Sequence, residues 1–165
     1  MPGQPQIVQR AAQPYVAIQA FVTMQTLGVV LPGLLPEVFA WLGARGISPA
    51  GAPFWKYNVV DMERQLDVEV GVPVALAAAG DDRVLAGVLP AGKYATLWHT
   101  GHPDSLADAT AALLHWAAQQ GLTWDLTRTD QGDRWGARLE IYETDPAQEP
   151  DMSQWQTELA FRLAG

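Results

Sequence analysis

The stretch Leu66-Asp67-Val68-Glu69-Val70-Gly71-Val72-Pro73-Val74 decides the fold. Its apolar residues fall on every second position, so Val68, Val70, Val72 and Val74 share one face of a strand while Glu69 and Gly71 point to the other. Upstream, residues 54–60 form a second apolar run, joined to residues 67–74 by the polar segment Asp61-Met62-Glu63-Arg64-Gln65. Two runs joined in this way predict a β-hairpin. Further upstream lies a predicted helix over residues 34–44. Leu34, Leu35, Val38, Phe39 and Leu42 recur at helical spacing, Pro36 stands in the first turn and Gly46 follows as a stop. A strand over residues 15–21 precedes it. This half reads strand–helix–strand–strand.

The second half repeats that order. A strand over residues 93–99 leads through Thr100-Gly101-His102-Pro103-Asp104 into a helix over residues 105–120. Ser105 is its expected N-cap, with Asp108 three positions on, and Gly121 ends it as Gly46 ends the first. A second hairpin pairs residues 137–144 with residues 155–163. Pseudo-repeats over about residues 6–74 and 83–163 therefore make up one domain spanning residues 1–165, joined by the Ala- and Gly-rich residues 75–82. Neither half covers its own sheet. The expected fold class is α+β: duplicated strand–helix–strand–strand modules forming an antiparallel sheet, two helices on one face and a ligand groove on the other.

Composition narrows the function. The chain has 165 residues, 48% of them hydrophobic, enough for a sizeable single core. Cysteine is absent, which excludes disulfides, zinc thiolate sites and Cys nucleophiles. The richest apolar stretch, residues 27–42, is interrupted by Pro32, Gly33 and Pro36, so no membrane span is expected and a cytoplasmic location is the default. Lys plus Arg number 10 against 18 Asp plus Glu, a formal charge of −8 without any basic cluster. Direct contact with nucleic acid, which needs such a cluster, is not expected. An acidic surface attracts cationic ligands, although net charge also serves simply to keep a protein soluble. Seven Trp and four Tyr are the compositional oddity, and such side chains bury large areas or line ligand sites.

Strand parity proposes where those aromatics go. With Trp155, Thr157, Leu159, Phe161 and Leu163 assigned to the helix-covered core, Leu139 and Ile141 are expected to join them. Glu140 and Tyr142 are then turned away, and by sequence order Trp55 and Tyr57 are their counterparts. Trp55, Tyr57, Glu140 and Tyr142 thus form a candidate pocket on the face without helices. Cross-strand aromatic pairing on an exposed sheet is the other reading of the same residues. Glu69 and Glu158 occupy matching positions, either at the pocket rim or as structurally hydrogen-bonded carboxylates. His99 and His102 have a spacing seen in some metal sites but no third ligand nearby, and His115 lies apart. No metal and no cofactor are expected.

These stretches resemble the GyrI-like, or bacterial transcription-factor effector-binding, family. The resemblance runs from about Gln6 to Leu163. It rests on Gly51-Ala52-Pro53-Phe54-Trp55-Lys56-Tyr57, on residues 61–63 and 66–74, on Leu89-Pro90-Ala91-Gly92-Lys93-Tyr94-Ala95, on His99-Thr100-Gly101 and on Glu140-Ile141-Tyr142 with Asp145-Pro146. It implies two modules forming a cupped sheet around a site for hydrophobic, often cationic, small molecules, in proteins that sense or sequester drugs. It also implies Glu140 as the central acid, with Tyr57, Tyr142 and Trp55 as aromatic companions; Glu69 joins the candidate ligand contacts on strand parity alone. A subgroup resembles hydrolases that open cyclopropane-containing compounds; there Glu140 would be the general base, with Tyr142 beside it. A third candidate role, of another class, is that of a protein partner inhibiting a topoisomerase-like enzyme. The chain departs from the family in its apolar lead-in Leu27-Gly28-Val29-Val30-Leu31.

Chemically, an ionised Glu140 offers its charge to a lipophilic cation while ring faces add about 0.5–2 kcal/mol of cation–π attraction. Burial without a partner is costly, so a tyrosine hydroxyl is expected on the carboxylate. Desolvation alternatively raises its pKa and suits it to proton transfer. Binding and catalysis call on the same residues.

Overall fold

The computed structural model describes residues 3–165. Ten strands and two α-helices follow in the order β1 (Gln6–Arg10), β2 (Gln13–Val22), α1 (Leu27–Ala44), β3 (Phe54–Val60), β4 (Leu66–Pro73), β5 (Leu85–Leu89), β6 (Gly92–Thr100), α2 (Leu106–Gln119), β7 (Leu126–Thr129), β8 (Gly132–Trp135), β9 (Arg138–Tyr142) and β10 (Gln156–Arg162). All pairings are antiparallel and run β1-β6-β10-β9-β3-β4-β2-β5, with the β7–β8 hairpin attached to the end of β3. The expected α+β class and the two modules β2–α1–β3–β4 and β6–α2–β9–β10 are present.

The register relates the modules by a pseudo-two-fold axis between β3 and β9. Trp55 pairs with Glu140 at that axis. Moving outward, Trp55 faces Val70 as Glu140 faces Leu159, and Lys56 faces Glu69 as Ile141 faces Glu158. Tyr57 therefore corresponds to Tyr142, Glu69 to Glu158 and, one strand further, Tyr15 to Tyr94. The short strands β1 and β5 lead into β2 and β6 but pair with each other's modules, β1 on β6 and β5 on β2. Only Ala11 and Ala12 separate β1 from β2, which stand near opposite ends of the strand order. The sheet must therefore curl until its edges approach.

The inner face of that curl is lined by small residues, which leave room for a few large rings. Ala17, Ala137 and Ala160 are buried there with Tyr15, Phe54, Tyr94 and Leu139. Gly71 is required by close approach: a Cβ on it would lie 2.7 Å from Phe54 Cζ. The outer face carries the helices. There α1 packs on β2 and β4 while α2 packs on β6, leaving the central pair β9–β3 between them. Val68, Val70, Leu97, Leu159 and Phe161 form the sheet side of this core, against Leu31 of α1 and Leu106, Ala109 and Leu113 of α2.

Three expectations need correction. First, α1 begins at Leu27 rather than Leu34, absorbing the apolar lead-in. Thr23 and Thr26 initiate it, with Leu27 N–H donating to the Thr23 carbonyl at 2.9 Å. Pro32 and Pro36 lie inside it on the exposed side, where the carbonyls of Gly28 and Pro32 that lose their N–H partners meet water. At 18 residues and a mean hydropathy of 1.6, α1 is by length and composition capable of crossing a membrane, yet Leu31, Val38 and Leu42 are embedded against the sheet. Second, Ser105 precedes α2 but makes no side-chain cap. Its hydroxyl donates to the His102 carbonyl at 2.8 Å and lies 2.6 Å from Nε2 of buried His99. Third, Leu139 and Ile141 face the inside of the curl, and Glu140 and Tyr142 face the helices. Parity was read for a sheet with one dry face. Here both faces are buried, so apolar character does not say which of them the helices cover.

Candidate functional site

The four residues singled out at the centre of the sheet do converge, on the helix side rather than the face without helices. Trp55, Tyr57, Glu140 and Tyr142 project from β3 and β9 into the space between α1 and α2. Both pseudo-symmetric tyrosines donate to the same carboxylate oxygen: Tyr57 Oη lies 3.0 Å and Tyr142 Oη 2.6 Å from Glu140 Oε1. Among the described residues Oε2 accepts no hydrogen bond and Glu140 enters no ion pair. Trp55 meets the Tyr142 ring edge-on at 5.1 Å between centroids. Glu140 thus occupies the axis position that Trp55 fills in the other module, so the two-fold backbone carries a carboxylate there on one side only.

The electrostatics follow from crowding. Glu140 is densely surrounded yet keeps some solvent contact. Desolvation pushes its carboxyl above the usual glutamate value, and the two tyrosine hydroxyls and the Arg138 charge pull it back only in part. Burial and the neighbouring carboxylate push both tyrosines well above 10. They are neutral donors at any physiological pH.

Glu69 does not join this group. It lies on the inner face, where Tyr15 Oη donates to its Oε1 at 2.5 Å, Asn58 Nδ2 donates to its Oε2 at 2.6 Å, and Lys56 Nζ stands 3.7 Å from Oε2. The reason is parity: Glu69 pairs with Lys56, one residue off Trp55 and Tyr57. Its counterpart Glu158 is held on the same face by Arg10 at 2.7 Å. His99 and His102 do not converge on a common site; His102 Nδ1 accepts the Asp104 N–H at 3.0 Å.

Sequence reasoning missed Arg138. It lies two residues before Glu140 on the same face, is 9% exposed, and its guanidinium carbon stands 4.8 Å from the Phe161 ring centroid, 4.9 Å from Trp135 and 5.9 Å from Tyr57. Its spacing from Glu140 was the available signal, because residues two apart on a strand share a face. The helix-free inner face does carry a cavity of about 350 Å³, where a groove was expected, but it is lined by other residues than those singled out, among them Phe54, Tyr94, Ile141 and Arg10.

Comparison with known proteins agrees with this architecture. Residues 3–164 match the model of the GyrI-like small-molecule-binding domain, and the chain belongs to that family. The C-terminal domain of EcmrR is similar in fold, with a TM-score of 0.75 at 19% identity, over 98% of this chain and 97% of that one. EcmrR in complex with DNA superposes with a TM-score of 0.76 at 20% identity over 97% of this chain, which spans only 57% of the EcmrR chain. SAV2435 bound to tetraphenylphosphonium gives 0.64 at 13% identity over 99% of this chain and 95% of that one. A hydrolase from Listeria innocua gives 0.65 at 12% identity, over 98% and 92%. No curated protein matches the sequence.

Proposed function

We propose that this chain binds a hydrophobic cation in the groove between α1 and α2, as a sensor or sequestering protein, with Glu140 supplying the charge and Trp55, Tyr57 and Tyr142 the aromatic walls. The observation that carries this reading is the half-satisfied carboxylate: two tyrosine hydroxyls hold Oε1, and among the described residues Oε2 has no partner. A lipophilic cation meets that oxygen with its charge and the rings with its apolar surface, gaining Coulomb and cation–π attraction together. A fold relative bound to tetraphenylphosphonium supports the choice of ligand class.

Titration of tetraphenylphosphonium into the protein, followed by Trp fluorescence, tests the proposal. Saturable quenching that weakens in Glu140→Gln is the expected result. Failure of both this cation and a panel of cationic dyes to bind overturns it.

A second reading, hydrolysis of a strained electrophile, draws on the raised carboxyl of Glu140 and on the fold relative described as a hydrolase. Glu140 is then the base that deprotonates an attacking water, Tyr142 remaining beside it. Product formation that is lost in Glu140→Gln while substrate still binds separates catalysis from binding. Stoichiometric binding without product across such compounds rules it out.

A further inference from the structure

A second charge is buried at the same end of the sheet, packed against core rings and near enough to Glu140 to act on its carboxyl, yet without an ion-pair partner of its own among the described residues. Arg138 is a permanent cation with five N–H donors. Among the described residues its guanidinium takes part in no side-chain hydrogen bond and no ion pair; every ion pair present joins other residues. The three rings around it offset part of the lost hydration through their faces, but rings accept no N–H in the plane of the fork. With no side-chain acceptor among the described residues, its N–H groups turn to the solvent of the space they face, where a ligand's acceptor can replace water.

Arg138 also lines a cleft of about 580 Å³ between α2 and the β7–β8 hairpin. The cleft's other walls include Met62, Ala107, Ala111 and Leu114, which are apolar, and Thr110. At its mouth Arg64 is already engaged, donating to Asp61 at 2.6 Å and to the Asp130 carbonyl at 2.8 Å. Asp133 also lines the cleft and acts on Arg138 through space without reaching ion-pair distance. An occupant must therefore bring its own acceptor to Arg138, an apolar body to the alanine face of α2, and no more than one negative charge beside Asp133.

We infer that this cleft is a second ligand site, separate from the groove at Glu140, that takes a small amphipathic monocarboxylate on the Arg138 guanidinium. A carboxylate matches the planar fork with two parallel hydrogen bonds, whereas a doubly charged phosphate meets Asp133 at greater cost. The site does not depend on cation binding at Glu140, although the Tyr57 ring lies against Arg138 and its hydroxyl bonds Glu140, so the two sites share a wall.

Octanoate and benzoate, titrated calorimetrically with octanamide and benzamide as neutral controls, test this. The acids are expected to bind saturably and the amides at least tenfold more weakly. Arg138→Met should reduce acid binding at least tenfold. Ala111→Trp, which fills the cleft from an exposed position of α2 and leaves Arg138 in place, should do the same while tetraphenylphosphonium binding survives. Equal binding of acid and amide, no binding of either acid, or full octanoate binding in Ala111→Trp overturns the inference. Loss of cation binding alone, with octanoate still bound, counts against the function proposed for Glu140 and leaves this site standing.

Discussion

Two glutamates, one on each face of the sheet, show how a carboxylate with both oxygens occupied differs from one with an oxygen left open. Glu69 has both oxygens occupied, by Tyr15 and by Asn58, with Lys56 alongside as a counter-charge. Glu140 also has tyrosine donors, but both act on Oε1, and among the described residues no cation lies within ion-pair distance. The first arrangement is closed and lies inside the curl. The second is left open between two helices that stand on the flanking strands. Tyrosine next to glutamate is thus common to both, and the difference lies in the second oxygen and the counter-charge.

The largest expected effect is on stability at Glu69. Glu69→Gln leaves Lys56 without its buried carboxylate and should lower the unfolding free energy by about 3 kcal/mol in urea denaturation, with cation affinity within about twofold of the parent. Glu140→Gln should do the reverse. Cation affinity falls by about 10- to 100-fold, or about 1.4–2.8 kcal/mol, in a fluorescence titration. Because the carboxyl of Glu140 is raised in the folded state, its ionised form is a stability penalty present above that raised value and relieved toward the ordinary 4.5. Glu140→Gln should therefore melt higher than the parent at pH 8, with the difference closing as pH falls. Cation affinity of the parent should drop with falling pH, beginning above the range of an ordinary glutamate.

Smaller effects sharpen the contrast between a closed face and an open one. Gly71→Ala places a Cβ 2.7 Å from Phe54 Cζ and 3.3 Å from the Val16 carbonyl oxygen, and should cost about 2 kcal/mol by thermal unfolding without altering the cation isotherm. Tyr142→Phe removes one of the two donors on Oε1, a change worth about 1 kcal/mol. It should weaken cation binding at neutral pH severalfold and move the pH dependence upward, because less holds Glu140 ionised.

The duplicated module order was legible because period-two and helical patterns recur at matching separations in both halves. The identities of the central four residues were legible for the same reason, since Trp55 and Tyr57 occupy the places of Glu140 and Tyr142. Which way they point was not. A curled sheet has two dry faces, and Leu139 and Ile141 satisfy burial as well inside the curl as Leu159 and Phe161 do beneath the helices. The start of α1 was hidden by Pro32 and Pro36, which are tolerated because their side of the helix faces water. Arg138 escaped notice because its environment of Tyr57, Trp135 and Phe161 comes from three different strands.

The most direct test is to locate a bound lipophilic cation crystallographically. The account predicts its charge beside Glu140 Oε2, with Trp55 and Tyr142 against its apolar surface, between α1 and α2. Density instead in the inner cavity lined by Phe54, Tyr94 and Ile141, with the groove empty, would contradict it.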